Sequence, residues 1–259
     1  MDLQLENKTA LVTGSTKGIG FAIARALAAE GVSVIVNGRS EESAQAAAKK
    51  IGGKARGVAA DVSTAAGCAA LLKAVPQVDI LVNNAGIFEP KPFVEIPDAD
   101  WTRFYEVNVM SGVRLARGYL NGMLQRNWGR MIFISSESGV QIPDEMIHYG
   151  MTKAAQIALV NGMAQLTKGT AVTVNAVLPG PTASEGVTEF VGQLASTAKQ
   201  TPEQFEKEFF KSVRPTSLLQ RFANVDEVAH TVTFLCSPLA SATNGAAARV
   251  DGGVLRATT

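Results

Sequence analysis

Short runs of apolar, often β-branched residues alternate along this chain with longer stretches whose apolar positions recur at helical spacing. The runs Thr9–Thr13, Ser33–Asn37, Lys54–Ala59, Ile80–Asn83, Arg130–Ser135, Thr173–Leu178 and Ala247–Val250 predict strands. Several, such as Met131-Ile132-Phe133-Ile134, are continuously apolar, the pattern of parallel strands covered by helices on both faces. Between them, Gly18–Glu30 sets Ile19, Ile23 and Leu27 on one face, with Gly31 as a stop. Glu41–Lys50 begins acidic and ends in Lys49-Lys50, matching the helix dipole. Asp100–Gln125, His148–Thr167 and Val225–Cys236 predict further helices. Strands alternating with helices imply right-handed crossovers and a doubly wound α/β sheet of about seven strands in one domain. Ser184–Pro215 breaks the rhythm with a helix at Pro202–Lys211 but no strand. Long excursions inside a domain are commonly lids or disordered segments, and the aromatics here favour a lid over 184–215.

Composition narrows the function classes. The 259 residues are 46% hydrophobic and carry a net charge of +1, which fits a globular protein and argues against nucleic acid or a membrane surface as partner. No apolar stretch is long enough to span a bilayer, and the first residues lack the pattern of a signal peptide. Cys68 and Cys236 lie far apart, as expected of a reducing cytoplasm, and with only His148 and His230 no metal site is expected.

The first strand runs into Gly14-Ser15-Thr16-Lys17-Gly18-Ile19-Gly20 and then a helix. Gly14 permits a tight turn, Gly18 leaves room for a pyrophosphate, Gly20 allows close helix–strand contact, and free N–H groups at the helix start attract phosphate. The second strand ends in Val36-Asn37-Gly38-Arg39-Ser40, with no acid to grip ribose hydroxyls but with an arginine suited to a 2′-phosphate. Lys17 could assist, although both cations are also ordinary surface residues. NADP(H) is the expected cofactor, with NAD(H) possible.

Tyr149 and Lys153 share a helix face, and Ser136 stands just past an apolar strand, where open α/β sheets bind ligands. With Asp61-Val62, Asn83-Asn84-Ala85-Gly86, Asn108, Pro179-Gly180 and the closing Val250-Asp251-Gly252-Gly253, these motifs resemble, in order and spacing, the short-chain dehydrogenase/reductase family over nearly the whole chain. The thirteen-residue step to Tyr149 selects Ser136 over Ser135 and Ser138. The resemblance implies a Rossmann fold and an oxidoreductase acting on small carbonyl or alcohol substrates. It makes Tyr149 the acid/base, Lys153 its acidifier and a ribose ligand, Ser136 the carbonyl holder, and Asn108 the anchor of a water that resupplies protons. A cation about 4 Å from the phenolate would lower its pKa by roughly three units before burial opposes it.

The remaining positions are expected to hold cofactor. Asp61 would meet the adenine or serve as an N-cap; Val62, Asn84, Ala85 and Gly86 would line the adenosine side; Pro179 and Gly180 would lie near the nicotinamide, with Thr182 on its carboxamide. Substrate choice falls to the lid and to Ser138–His148. Phe190, Phe205, Phe209 and Phe210 form an apolar roof or helix core, and Glu145 and His148 recognise a polar group or are simply solvated. An isomerase or dehydratase on this scaffold and a non-catalytic dinucleotide sensor are the alternatives. The family also implies homo-oligomers, tetramer or dimer, with Ala154, Ala155, Ala158 and Gly162 facing either a partner or the sheet.

Overall fold

Side chains of the first strand, β1 (Thr9–Val12), divide between two cores: Ala10 and Val12 enter one hydrophobic cluster and Leu11 the other. That alternation is the period-two geometry of a strand buried on both faces. The computed structural model describes residues 1–185 and 200–257. In it α1 (Gly18–Ala29), β2 (Ser33–Gly38), α2 (Glu41–Ile51), β3 (Arg56–Ala59), α3 (Ala65–Ala74) and β4 (Ile80–Asn83) follow β1. Next come α4 (Asp98–Tyr105), α5 (Ser111–Gln125), β5 (Gly129–Ile134), α6 (Ile147–Gln165) and β6 (Val172–Pro179). Two-residue strands β7 (Thr182–Ala183) and β8 (Ala223–Asn224), helices α7 (Pro202–Ser212) and α8 (Val225–Cys236), and β9 (Ala247–Val250) complete the chain.

The main sheet is seven-stranded and parallel in the order β3-β2-β1-β4-β5-β6-β9. One face packs on α1 and α8 through Ile23, Leu27, Val228 and Val232. The other packs on α3, α5 and α6 through Leu71, Leu115, Met123 and Val160. The order reverses between β1 and β4, and such a switch point opens a crevice beyond the strand C-termini.

Three features depart from the sequence pattern. The helix expected over Asp100–Gln125 is interrupted by a π-helical turn at Glu106–Met110, so α4 and α5 are separate. The β7–β8 ladder was not expected, because two-residue strands carry no periodicity. Thr64, not Asp61, caps α3 by accepting from Gly67 N. Helix α7 begins in a reciprocal Thr201–Gln204 capping box, the local reason it starts there. Phe190 lies outside the described residues.

Candidate functional site

The glycine loop is held from below by side-chain hydrogen bonds. Ser15 Oγ donates to Val12 O at 2.6 Å and accepts from Asn37 N at 3.1 Å, while Asn84 Nδ2 donates to Thr13 O and Gly14 O at 2.9 and 3.1 Å. Thr13 Oγ1 accepts from the N–H groups of Asn84 and Ala85, each at 3.0 Å. Ser15 and Asn84 therefore shape the loop from within the protein. A Cβ on Gly20 would stand 2.4 Å from Asn84 Nδ2 and 2.6 Å from Gly14 O, so glycine is required for close packing there. Gly14 and Gly18 adopt φ of +59° and +61°, where other residues are strained.

At the start of α1 the Gly18 N–H donates to the Glu185 carboxylate at 2.6 Å. An anion thus sits where the helix dipole and free amides favour a phosphate, and the loop fits the diphosphate of a dinucleotide. Arg39 and Lys17 are exposed and enter no ion pair among the described residues, leaving both able to meet phosphate. Thr16 is half-buried beside Gly38. Asp61 is exposed, its carboxylate accepting from Ser63 N at 3.1 Å. Val62 is buried in the core, so only its backbone can face a ligand.

A cavity of about 630 Å³ runs from Lys17, Gly18, Ile19 and Gly20 past Asn84 and Gly86 to Ser136, Tyr149 and Lys153, then along Pro179, Gly180 and Thr182. Thr182 Oγ1 donates to Gly180 O at 2.9 Å and is committed to its own turn in this form. Phe205 and Phe209 line the cavity, whereas Phe210 is buried and packs edge-on against Phe209. The aromatics thus divide between roof and core.

Ser136, Tyr149 and Lys153 converge at the inner end. The Ser136 hydroxyl is near enough to the Tyr149 phenol to act on its titration, and Lys153 Nζ lies 5.5 Å from the Tyr149 ring centroid. Lys153 is almost fully buried and donates to Ile134 O at 2.8 Å and Gln156 Oε1 at 3.3 Å. Burial without a counter-ion pulls its pKa down to about 7. Burial raises the Tyr149 phenol above its ordinary value; the Ser136 hydroxyl and the Arg214 charge oppose this, and the Glu137 charge adds to it. Burial is the largest influence on the phenol in this arrangement.

Asn108 stands behind this group in the π-helical turn. Its Nδ2 donates to Ile87 O and Thr152 Oγ1, both at 3.0 Å, and its Oδ1 accepts from Ile87 N at 2.8 Å. Its carbonyl accepts from Gln156 Nε2 at 2.6 Å, so a glutamine side chain spans from this turn to Lys153. Glu137 and Arg214 also enter the site, joined at 3.0 Å. Sequence reading missed all three, since Gln156 occupies an ordinary helical position and Glu137 and Arg214 are remote in sequence. His148 is neither solvated nor aimed into the cavity. It is buried against Phe104, 4.1 Å between ring centroids, with no hydrogen-bond partner among the described residues on either ring nitrogen.

A family model described as short chain dehydrogenase matches residues 8–194. The chain is 50% identical to an uncharacterised oxidoreductase, YvaG, of Bacillus subtilis across 99% of both chains. It is 36% identical to a 3-oxoacyl-[acyl-carrier-protein] reductase of Aquifex aeolicus, covering 98% of this chain and 100% of that one. Among solved structures, an L-sorbose reductase from Gluconobacter frateurii, complexed with NADPH and L-sorbose, superposes with a TM-score of 0.93 at 32% identity, covering 99% of this chain and 100% of that one.

Proposed function

The chain belongs to the short chain dehydrogenase family of oxidoreductases, and from that premise we propose that it interconverts ketones and alcohols with NADP(H), using Tyr149 as acid and base. One observation carries this reading: Ser136, Tyr149 and Lys153 meet in a cavity whose other end is the glycine loop. The loop from Gly14 to Gly20, Arg39 and Asp61 would hold the adenosine and phosphates, and Asn84, Ala85 and Gly86 would shape their wall. Pro179, Gly180 and Thr182 would border the nicotinamide. The cofactor, when bound, supplies or accepts the hydride.

The protein's own residues do the rest. Ser136 holds the carbonyl oxygen, and Tyr149 gives that oxygen its proton as the carbon gains hydride, leaving a phenolate. Reduction thus consumes one NADPH and one proton per alcohol formed. A phenol whose pKa burial has raised stays protonated at neutrality, the form reduction needs. Lys153 in its charged form steadies the phenolate. Arg39 argues for NADP(H) over NAD(H), its guanidinium suiting a 2′-phosphate. The same reading makes the protein a cytoplasmic enzyme and a homo-oligomer, dimer or tetramer; Ala158 and Gly162 are exposed on α6, where another helix could approach closely.

The test is a broad carbonyl panel followed at the nicotinamide absorbance band with NADPH and NADH, repeated with Tyr149→Phe. NADPH-dependent reduction that falls on the order of 100-fold or more in the variant is expected. Turnover unaffected by loss of the phenol overturns the mechanism, and equal turnover with NADH overturns the cofactor assignment.

A further inference from the structure

Beside the reacting position the cavity wall carries a charged cluster that the mechanism does not use. Glu137 directly follows Ser136 and is only 4% exposed. Its Oε2 accepts from Ser136 Oγ at 2.9 Å and also from Ser138 Oγ, while Oε1 accepts from Arg214 Nε at 3.0 Å. Arg214, 9% exposed, arrives just after α7 and gives Nη1 to Glu145 Oε1 at 3.2 Å and to Val213 O at 3.0 Å. Much of the surrounding wall is apolar, including Phe88, Phe205, Phe209 and Val213.

Taking ions out of water is costly, and apolar contacts would fasten the chain after α7 at lower cost. The balance of the cluster is one guanidinium to two carboxylates, an excess of one negative charge. Arg214 already serves two carboxylates and is poorly placed to receive a third. A carboxylate has room for about four hydrogen bonds, and three at Glu137 are named above, which leaves capacity for one more donor. A carbonyl oxygen held on Ser136 takes that hydroxyl's one proton away from Oε2, which frees a further place on the carboxylate, and the oxygen then lies within roughly 5.7 Å of it. A hydroxyl on the adjacent carbon, with its own hydrogen bond, spans that gap.

We propose that Glu137, fixed by Arg214, is a substrate subsite reading a hydroxyl next to the reacting carbonyl, so that the preferred substrates are uncharged α-hydroxy ketones with an apolar remainder, and keto acids are disfavoured. This rests on the reductase reading and on Ser136 as the carbonyl holder. Glu137 is a specificity residue here, and proton transfer stays with Tyr149.

Three ketones of one skeleton test it on the full-length enzyme with NADPH: 2-hydroxyacetophenone, acetophenone and benzoylformate. The hydroxy ketone should exceed acetophenone in kcat/KM by about tenfold or more, the worth of one charge-assisted hydrogen bond, with benzoylformate the poorest. In Glu137→Gln, the ratio of hydroxy ketone to acetophenone should fall to within about threefold of unity, since the amide keeps the shape but loses the charge. A wild-type ratio near one, a ratio unchanged in the variant, or benzoylformate as the best substrate overturns the subsite. Because the wild-type ratio needs no variant, the proposal remains testable even if Glu137→Gln does not fold. Acetophenone reduced without hydroxyl preference removes the subsite and leaves the reductase standing. Silence with all three overturns the substrate class, and silence across the broader carbonyl panel as well removes the reductase reading.

Discussion

Lys153 concentrates the energetic tension of the site in one residue. An amine that titrates near 7 in the fold but near 10.5 in water makes the native state bind fewer protons than the unfolded chain between those values. Native stability therefore rises with pH across that window, and the destabilisation is complete below about pH 7. Its size is roughly 3–5 kcal/mol. Lys153→Met should melt several degrees above wild type at pH 6, with the gap closing toward pH 10, while carbonyl reduction is lost; a gap that is absent or constant with pH would show that burial of the amine costs nothing. The same titration predicts that reduction weakens above about pH 7, as the cation facing the phenolate discharges. Gln156→Leu removes an oxygen that accepts from the ammonium, so the inflection in kcat/KM should move to lower pH; an unmoved profile would leave Gln156 a packing residue. His148 gives a separate signature. Burial holds its pKa below the ordinary value, so the unfolded chain takes up a proton first as pH falls and stability drops with it. His148→Leu should flatten the acid limb of a melting-temperature profile, since neither ring nitrogen has a bond to lose among the described residues. The sequence revealed the presence of Lys153 and Tyr149 but not their titration, which depends on what the fold buries beside them.

At the scale of elements, the loop between β1 and α1 is where sequence and geometry agree best. Its glycines announce both the left-handed backbone at Gly14 and Gly18 and the close approach at Gly20, because only glycine satisfies each. Gly20→Ala would press a methyl against the Gly14 carbonyl, and backbone cannot yield as a flexible side chain does. A cost of about 1–3 kcal/mol is expected, with NADPH affinity down at least tenfold by fluorescence titration. Near-normal affinity would mean that the loop adapts and that its shape does not set binding. The π-helical turn at Glu106–Met110 was illegible for the opposite reason. Glu106-Val107-Asn108-Val109-Met110 has no breaker, and the turn is stabilised by partners elsewhere: Ile87 and Thr152 on the Asn108 side chain, Gln156 on its carbonyl. The Glu137–Arg214 pair is 77 residues apart in sequence, and only the path of the chain after α7 joins it.

Across the whole molecule, the strand runs and their order sufficed for the doubly wound sheet, since continuous apolar strands need two covering layers and parallel strands need crossovers. The sheet then sets Asn83, Ile134 and Pro179 at neighbouring strand ends, and the loops that follow them carry the site. Affinity for the cofactor can consequently be read in global stability, because the loops that would grip it exist in that arrangement only in the folded chain. A ligand that binds the native state alone, present at about 100 times its dissociation constant, adds about 2.7 kcal/mol. For a chain of this size that is a rise in Tm of roughly 5–10 °C. NADPH should produce that shift, and NADH at the same concentration a smaller one, because only the former carries a phosphate for Arg39. A charge-assisted bond of about 1.5–3 kcal/mol implies at least a tenfold difference in affinity. Arg39→Ala should bring the two melting curves together by lowering the NADPH shift while leaving the NADH shift in place. Equal shifts in wild type, or an Arg39→Ala protein that still favours NADPH by the full margin, would move phosphate recognition away from the end of β2, with Lys17 the next cation to substitute.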